Sequence, residues 1–282
     1  MKSIDLKDWE LSGESTFGYS YFHKHDPKLM MKVLRPGIPS GELEDELEIS
    51  RKVYNLGIST PKPGEPVDVE GREGIVFERI VGKKSFAKAV GEEPENVEWL
   101  AKEYASMIKG LHSTPCDTSA FPCIKDRLKT LIARNRFRSD ALKAKALSFI
   151  DNAPDAATCA HGDLHFGNLI VAGKKSYFID LGSFCYGHYL FDFTMMDLLI
   201  NYGYNHRSPF IKEYHCTPEE AERFWILVLK EYFGPDTDIE RKRKEFLPYM
   251  ALRQMEIEAQ MEAQLPDSSI SQTATIEEIL SL

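Results

Sequence analysis

The chain has 282 residues, 43% hydrophobic and 28% charged, an ordinary globular composition with enough length for one large domain or two unequal ones. A formal net charge of −9 excludes the basic surplus that nucleic-acid binding needs, while permitting a cationic small-molecule partner. No apolar run approaches the ~20 residues of a membrane span, and Asp5, Asp8 and Glu10 stand where a secretory signal would be apolar, so a cytoplasmic protein with no membrane partner is expected.

From residue 10 to about 80 the pattern is short β-rich runs with one helix. Ser12 to Gly18 is a small, glycine-containing connection between two strands, the second being Tyr19 to His23. Leu29 to Leu34 is an apolar run of strand length with Lys32 in its middle. Gly41 to Leu56 has helical periodicity. At 100° per residue Leu43, Leu47, Ile49, Val53, Tyr54 and Leu56 fall on one arc, and Glu44, Glu48, Arg51, Lys52 and Asn55 on the other. Glu46 lies inside the apolar arc, where an unpaired carboxylate is costly to desolvate. Either it pairs with Lys32, the nearest unexplained cation, or the helix turns enough for it to reach water.

Ser59 to Gly64 reads as a turn-rich connector, and Gly74 to Ile80 as a strand running into Val81-Gly82, where a lobe boundary is expected. Beyond it, Asn96 to Leu111 and Asp126 to Ile150 read as helices. The five cysteines include no Cys-x-x-Cys pair, which gives no zinc spacing and leaves them as small buried hydrophobes in a reducing compartment.

The segment richest in chemistry is His161-Gly162-Asp163-Leu164-His165-Phe166-Gly167-Asn168, followed by two apolar runs around Gly173-Lys174 that end at Asp180. A tight hairpin turn there pairs Ala172 with Lys175. That register puts Asn168 opposite Ile179, so Asn168 and Asp180 come within about 5 Å at the backbone. An amide oxygen and a carboxylate at the open end of a hairpin suit Mg²⁺ bridging nucleotide phosphates. Asp163, on a glycine-flanked loop just before, is placed to accept the proton of a substrate hydroxyl. The plain alternative is a polar turn in which Asp163 and Asn168 cap backbone groups. His165 and His188 read as hydrogen-bonding or packing residues.

Downstream, Thr217-Pro218-Glu219-Glu220 is a capping box with proline at the first helical position, opening a helix that stops at Gly234-Pro235. A last helix is expected over roughly 246–264, carrying Glu256, Glu258 and Glu262. These three either line an acidic pocket for an amine-bearing acceptor or lie on an exposed face beside Arg253 and Gln260.

His161-Gly162-Asp163-Leu164-His165 through Asn168, and then Ile179-Asp180, resemble the HGDxHxxN and IDxG motifs of the aminoglycoside phosphotransferases, choline kinases and their relatives. The resemblance implies an α+β, two-lobed protein-kinase-like fold. A small antiparallel-sheet N-lobe with one helix (1–81) would bind nucleotide, and a larger, mostly helical C-lobe (82–282) would hold the catalytic loop, metal site and acceptor region. It implies a Mg²⁺-dependent phosphotransferase using ATP or GTP on a small hydroxylated acceptor, which the acidic balance of the chain permits to be cationic. Lys32, held by Glu46, would bind the α- and β-phosphates. Ser15 and Thr16 lie in what looks like the nucleotide-covering loop, and the backbone of Glu78 and Ile80 would meet the base edge. Asp163 would be the base, Asn168 and Asp180 the metal ligands, and Asp192 the buttress of the catalytic loop; Leu111-His112 resembles the family's helix-ending Leu-His. The chain departs from the pattern in having Gly187-His188-Tyr189 where the family usually reads Gly-Asp-Pro, and only two glycines, Gly13 and Gly18, in the nucleotide loop.

Two rivals come from other classes. A metallophosphoesterase would use Gly162-Asp163-Leu164-His165 and Gly167-Asn168, but needs a second Gly-Asp-x-x-Asp and downstream metal histidines, a setting that His188, His206 and His215 lack. A non-catalytic kinase-like nucleotide-binding protein normally lacks one of the lysine, base or metal residues, and all are present here.

Overall fold

The computed structural model describes residues 2–14, 18–38, 41–267, 270 and 274–281, the side chain of Glu42 excepted. Ser15 and Thr16 lie outside the described residues. The chain divides into two compact units, Met1–Lys84 with Leu169–Gly182, and Ser85–Asn168 with Ser183–Leu282.

Unit 1 is built on a six-stranded sheet of β1 (Lys2–Ser3), β2 (Trp9–Glu14), β3 (Gly18–His23), β4 (Leu29–Leu34), β5 (Pro63–Val69) and β6 (Arg72–Glu78), ordered β1-β5-β6-β4-β3-β2. All neighbours are antiparallel except β1 and β5. Strand β5 falls partly in the stretch read as a connector. Pro63 and Pro66 hid it, and the register shifts between them, as a proline in a ladder requires.

Alternation along β4 sorts its side chains to two faces. Met31 and Val33 pack with Trp9, Val67 and Val69 on one face. Leu34, with Met30 beside it, packs on the other against Leu43 and Leu47 of α1 (Glu42–Asn55), together with Ile75 and Phe77. Lys32 shares the α1 face by the same alternation. Along α1 the buried positions are Leu43, Leu47, Ser50 and Val53, with Glu46 in the same stripe. Tyr54 and Leu56 are exposed despite their places on the apolar arc, because periodicity reports direction and not whether anything covers the last turn.

The hairpin Leu169–Ala172 and Lys175–Phe178 belongs to this unit, with the expected register Ala172 to Lys175 and Val171 to Ser176. Ser59 anchors it, its hydroxyl donating to Ser176 O (2.6 Å) and its carbonyl accepting from Phe178 N (2.9 Å).

Unit 2 is mostly helical: α2 (Phe86–Glu92), α3 (Val97–Ser113), α4 (Ile124–Arg134), α5 (Asp140–Asn152), α6 (Thr194–Asn205), α7 (Arg207–Tyr214), α8 (Pro218–Phe233), α9 (Ile239–Met261) and α10 (Ile276–Ile279). The helix expected over Asp126 to Ile150 is two helices. Asn135 ends the first by accepting the N–H groups of Phe137 and Arg138, and Ser139 caps the second by accepting from Leu142 N. The capping box at Thr217 and Glu220 opens α8 as expected, and Gly234 closes it. Helix α9 starts earlier than expected, where Asp238 caps Arg241 N, and continues through Pro248. An aromatic core of Phe86, Tyr104, Phe166, Phe193, Phe224 and Trp225 lies between these helices, each ring fully buried.

Candidate active site

In unit 1 the Lys32 ammonium meets Glu46 Oε1 at 2.7 Å and Asp180 Oδ1 at 3.5 Å. Burial alone would lower the lysine pKa; attraction to Glu46 and Asp180 more than offsets this and holds it above the ordinary value. The Glu46 side chain is only 15% exposed, so its pairing with Lys32 answers the desolvation problem posed by the helix wheel. Asp180 has a left-handed backbone, φ 60°, rare for a residue with a side chain. Its carboxylate is 61% exposed, so Lys32 leaves most of it open to a further partner.

These three residues line one cavity of about 220 Å³. Its walls also include Met30, Phe77, Ile170 and Ile179, so charged and apolar side chains line the same space. Glu78 and Ile80 line it too. Glu78 N donates to Lys62 O and Arg79 N to Lys28 O, whereas no main-chain hydrogen bond of Ile80 N–H is found among the described residues. Lys83 is a further cation on the lining that sequence reading missed, since nothing in Gly82-Lys83-Lys84 separates it from an ordinary polar turn.

In unit 2 the loop 161–168 is tied down at both ends. Asp192, fully buried, accepts His161 N and Gly162 N at 2.7 Å each and lies 3.1 Å from His112 Nε2. Burial would raise the Asp192 pKa, but the His112 contact and the His161 N–H hold it below the usual carboxylate range. Gly162 has φ 78°, and a Cβ there would lie 2.0 Å from Ser183 O, so glycine is required by both backbone and space. At the far end Phe166 is buried against Phe224 and Tyr214, its N–H reaching Met196 Sδ at 3.3 Å and its carbonyl accepting Ala87 N at 3.0 Å.

Between these anchors the Asp163 side chain stays 28% exposed. Asn168 Nδ2 donates to Asp163 O (2.9 Å) and Oδ2 (3.2 Å), so its Oδ1 is the atom left to meet a cation. Arg253 Nη2 donates to Asp163 Oδ1 at 2.6 Å. Burial would raise the Asp163 pKa, but Arg253, through charge and hydrogen bond, together with His165 and His161 outweighs it and keeps the carboxyl below its ordinary value. His165 accepts Gly167 N through Nδ1 and stands 3.9 Å from Asp163 Oδ2, a hydrogen-bonding role of the kind expected. His188 caps the short 3₁₀ turn Tyr189–Phe191 by accepting Leu190 N, so the unusual Gly187-His188-Tyr189 still leads into the buried Asp192.

The acidic helix face takes neither form expected of it. Glu256 is buried and paired with Arg253 and Arg127, and Glu258 is buried and paired with Arg138. Glu262 is exposed and lies 3.0 Å from Arg136. Helix α9 therefore presents neither a set of unpaired carboxylates nor a simple solvated face.

A sequence model of the phosphotransferase enzyme family (APH) matches residues 18–215. The chain belongs to this family. It is accordingly a small-molecule kinase, which removes the ground for the phosphoesterase reading. Among curated protein sequences none matches significantly. Among solved structures, ADP-bound aminoglycoside phosphotransferase APH(2'')-Ib is similar at TM-score 0.59 and 16% identity, covering 98% of this chain and 93% of that one. The streptomycin-ATP-APH(2")-IIa ternary complex is similar at TM-score 0.57 and 20% identity, with 90% and 86% covered. A choline/ethanolamine kinase family protein from Mesorhizobium loti is similar at TM-score 0.55 and 14% identity, with 97% and 91% covered. These likenesses establish the α+β, protein-kinase-like fold of the phosphotransferase family for this chain. Among the described residues no helix is long and apolar enough to cross a membrane.

Proposed function

We propose that this family member transfers the γ-phosphate of ATP, or GTP, to a hydroxyl of a small molecule such as an aminoglycoside, choline, ethanolamine or an amino sugar. Residues 1–81 would form the nucleotide-binding part, and 82–282 would carry the catalytic loop and acceptor region. One observation carries the nucleotide half: Lys32, Glu46 and Asp180 meet in a cavity also walled by the apolar Met30, Phe77 and Ile170, with Glu78 and Ile80 on its lining. A cation and apolar walls in one cavity suit phosphates next to a flat base.

Lys32, oriented by Glu46, would bind the α- and β-phosphates, and the carbonyl of Glu78 and N–H of Ile80 would bond the base edge. Ser15 and Thr16 would close over the phosphates. Asn168 and Asp180 would hold Mg²⁺, whose charge would offset that of the phosphates; the Asn168 amide oxygen and the open Asp180 carboxylate are hard donors that fit this ion. Asp163 would accept the hydroxyl proton as the acceptor oxygen bonds the γ-phosphorus and the bond to the departing nucleoside diphosphate breaks. Its ionised state, favoured by Arg253, leaves the carboxylate ready for that role.

The test is nucleotide consumption against a panel of sugars, amino alcohols and aminoglycosides. Asp163→Asn should abolish turnover of whichever acceptor is used while leaving nucleotide affinity nearly intact; full activity in that variant would remove the proposed base.

A further inference from the structure

Helix α9 carries a largely covered arginine, Arg253, that is not among the residues lining the Lys32 cavity. Arg253 is 11% exposed, donates through Nη2 to Asp163 Oδ1 at 2.6 Å, and donates through Nη1 to Glu256 Oε2 at 2.5 Å. Glu256 meets Arg127 Nε of α4 at 3.1 Å. Arg127 in turn donates to Ser183 O at 2.7 Å and to Gly162 O, the carbonyl before Asp163, at 2.9 Å. A chain of alternating charges therefore joins two helices to the loop, holding the main chain through Arg127 and the carboxylate through Arg253.

Neutralising Glu256 does not explain Arg253, since Arg127 already faces that carboxylate. Stability explains it poorly as well, because a buried ion pair gains little over apolar side chains of similar size. A planar guanidinium does supply direction, two donors in a fixed fork, here one to each carboxylate. The bond to Oδ1 is charge-assisted and short, whereas Oδ2 has the longer 3.2 Å contact with Asn168.

We propose that Arg253 is a positioning residue for phosphoryl transfer: by fixing Oδ1 it presents Asp163 Oδ2 to the acceptor hydroxyl. This rests on Asp163 being the base proposed above. In protein kinases and their relatives the chemistry is mostly placement, so a carboxylate turned away from the hydroxyl should be costly even with the nucleotide fully bound.

The experiment compares Arg253→Ala and Arg253→Lys with the parent chain by crystal structure and by steady-state kinetics. In the alanine variant the Asp163 carboxylate should leave its place, and kcat should fall about 100-fold with the nucleotide KM unchanged. Guanidinium ion added at millimolar concentration should return part of the rate to Arg253→Ala and none to Asp163→Asn, a rescue that a merely structural role would not give. The lysine variant, with one charged donor in place of the fork, should be intermediate; it also carries the comparison if the alanine variant does not fold. An Asp163 carboxylate unmoved in both variants, a kcat within threefold of the parent, or a loss confined to the nucleotide KM would overturn the proposal. Should the parent turn over no acceptor, the transfer reading fails, while the position of Asp163 in the variant structures still decides whether Arg253 sets it.

Discussion

Asp192 shows how one buried side chain can govern a loop it does not belong to. It takes two main-chain N–H groups of the 161–168 loop and the His112 ring into one fully buried carboxylate. A carboxyl held below its unfolded value of 3.8 adds stability that is present above that value and is lost as pH falls through the folded one. Thermal stability should therefore decline as pH drops below about 4. Asp192→Asn, which cannot ionise, should lack the part of that decline due to this residue and be less stable at neutral pH by about 2–3 kcal/mol. Melting curves of both proteins across pH 2–8 check this; parallel curves would remove Asp192 as the source. Arg253 makes the complementary point. Beside Glu256 and Gln260 it reads as one charge among several, and only the fold brings it to Asp163, ninety positions away in the chain.

At the scale of elements, what could be read from sequence is what local chemistry decides. The Gly173-Lys174 hairpin, the Thr217 capping box and the Lys32-bearing strand all follow from signals a few residues long. Thr217→Ala removes a hydrogen-bonding cap, which should cost about 1 kcal/mol and lower the melting temperature by a few degrees. An unchanged melting temperature would mean that packing of Ala221, Phe224 and Trp225 alone fixes the start of α8. Harder to read was anything set by contacts distant in sequence. The break at Asn135 depends on a side chain that also reaches Glu258 and Met255 O on α9, and strand β5 is strand because β1 and β6 flank it. The pairing of Lys32 with Glu46 was legible because a charge inside each of two apolar patterns needs a partner. The burial and pairing of Glu256 and Glu258 were not, since their arginines lie on other segments or on an unforeseen side of the helix.

At the scale of the whole molecule, the cavity lining of Lys32, Glu46, Glu78 and Asp180 lies entirely within unit 1. A ligand that binds only the folded state stabilises it by about 2.7 kcal/mol at a hundred times its dissociation constant. Adding Mg²⁺ and ATP or GTP should therefore raise the melting temperature of the parent and of Asp163→Asn alike, and raise that of Lys32→Met far less. An equal rise in all three would place the phosphates away from Lys32.

The assignment of residues 169–182 to unit 1 bears on how the polypeptide is made. A ribosome releases the first 84 residues long before the hairpin that Ser59 anchors, and before Ile170 and Ile179 can wall the cavity. The amino-terminal unit must then wait, its sheet without the hairpin, while most of the helical unit emerges. Arrested nascent chains ending before residue 169 should accordingly be cut by protease within 1–84, and chains extending well past 182 should resist; equal resistance in both would show that the early segment folds without its late-arriving hairpin.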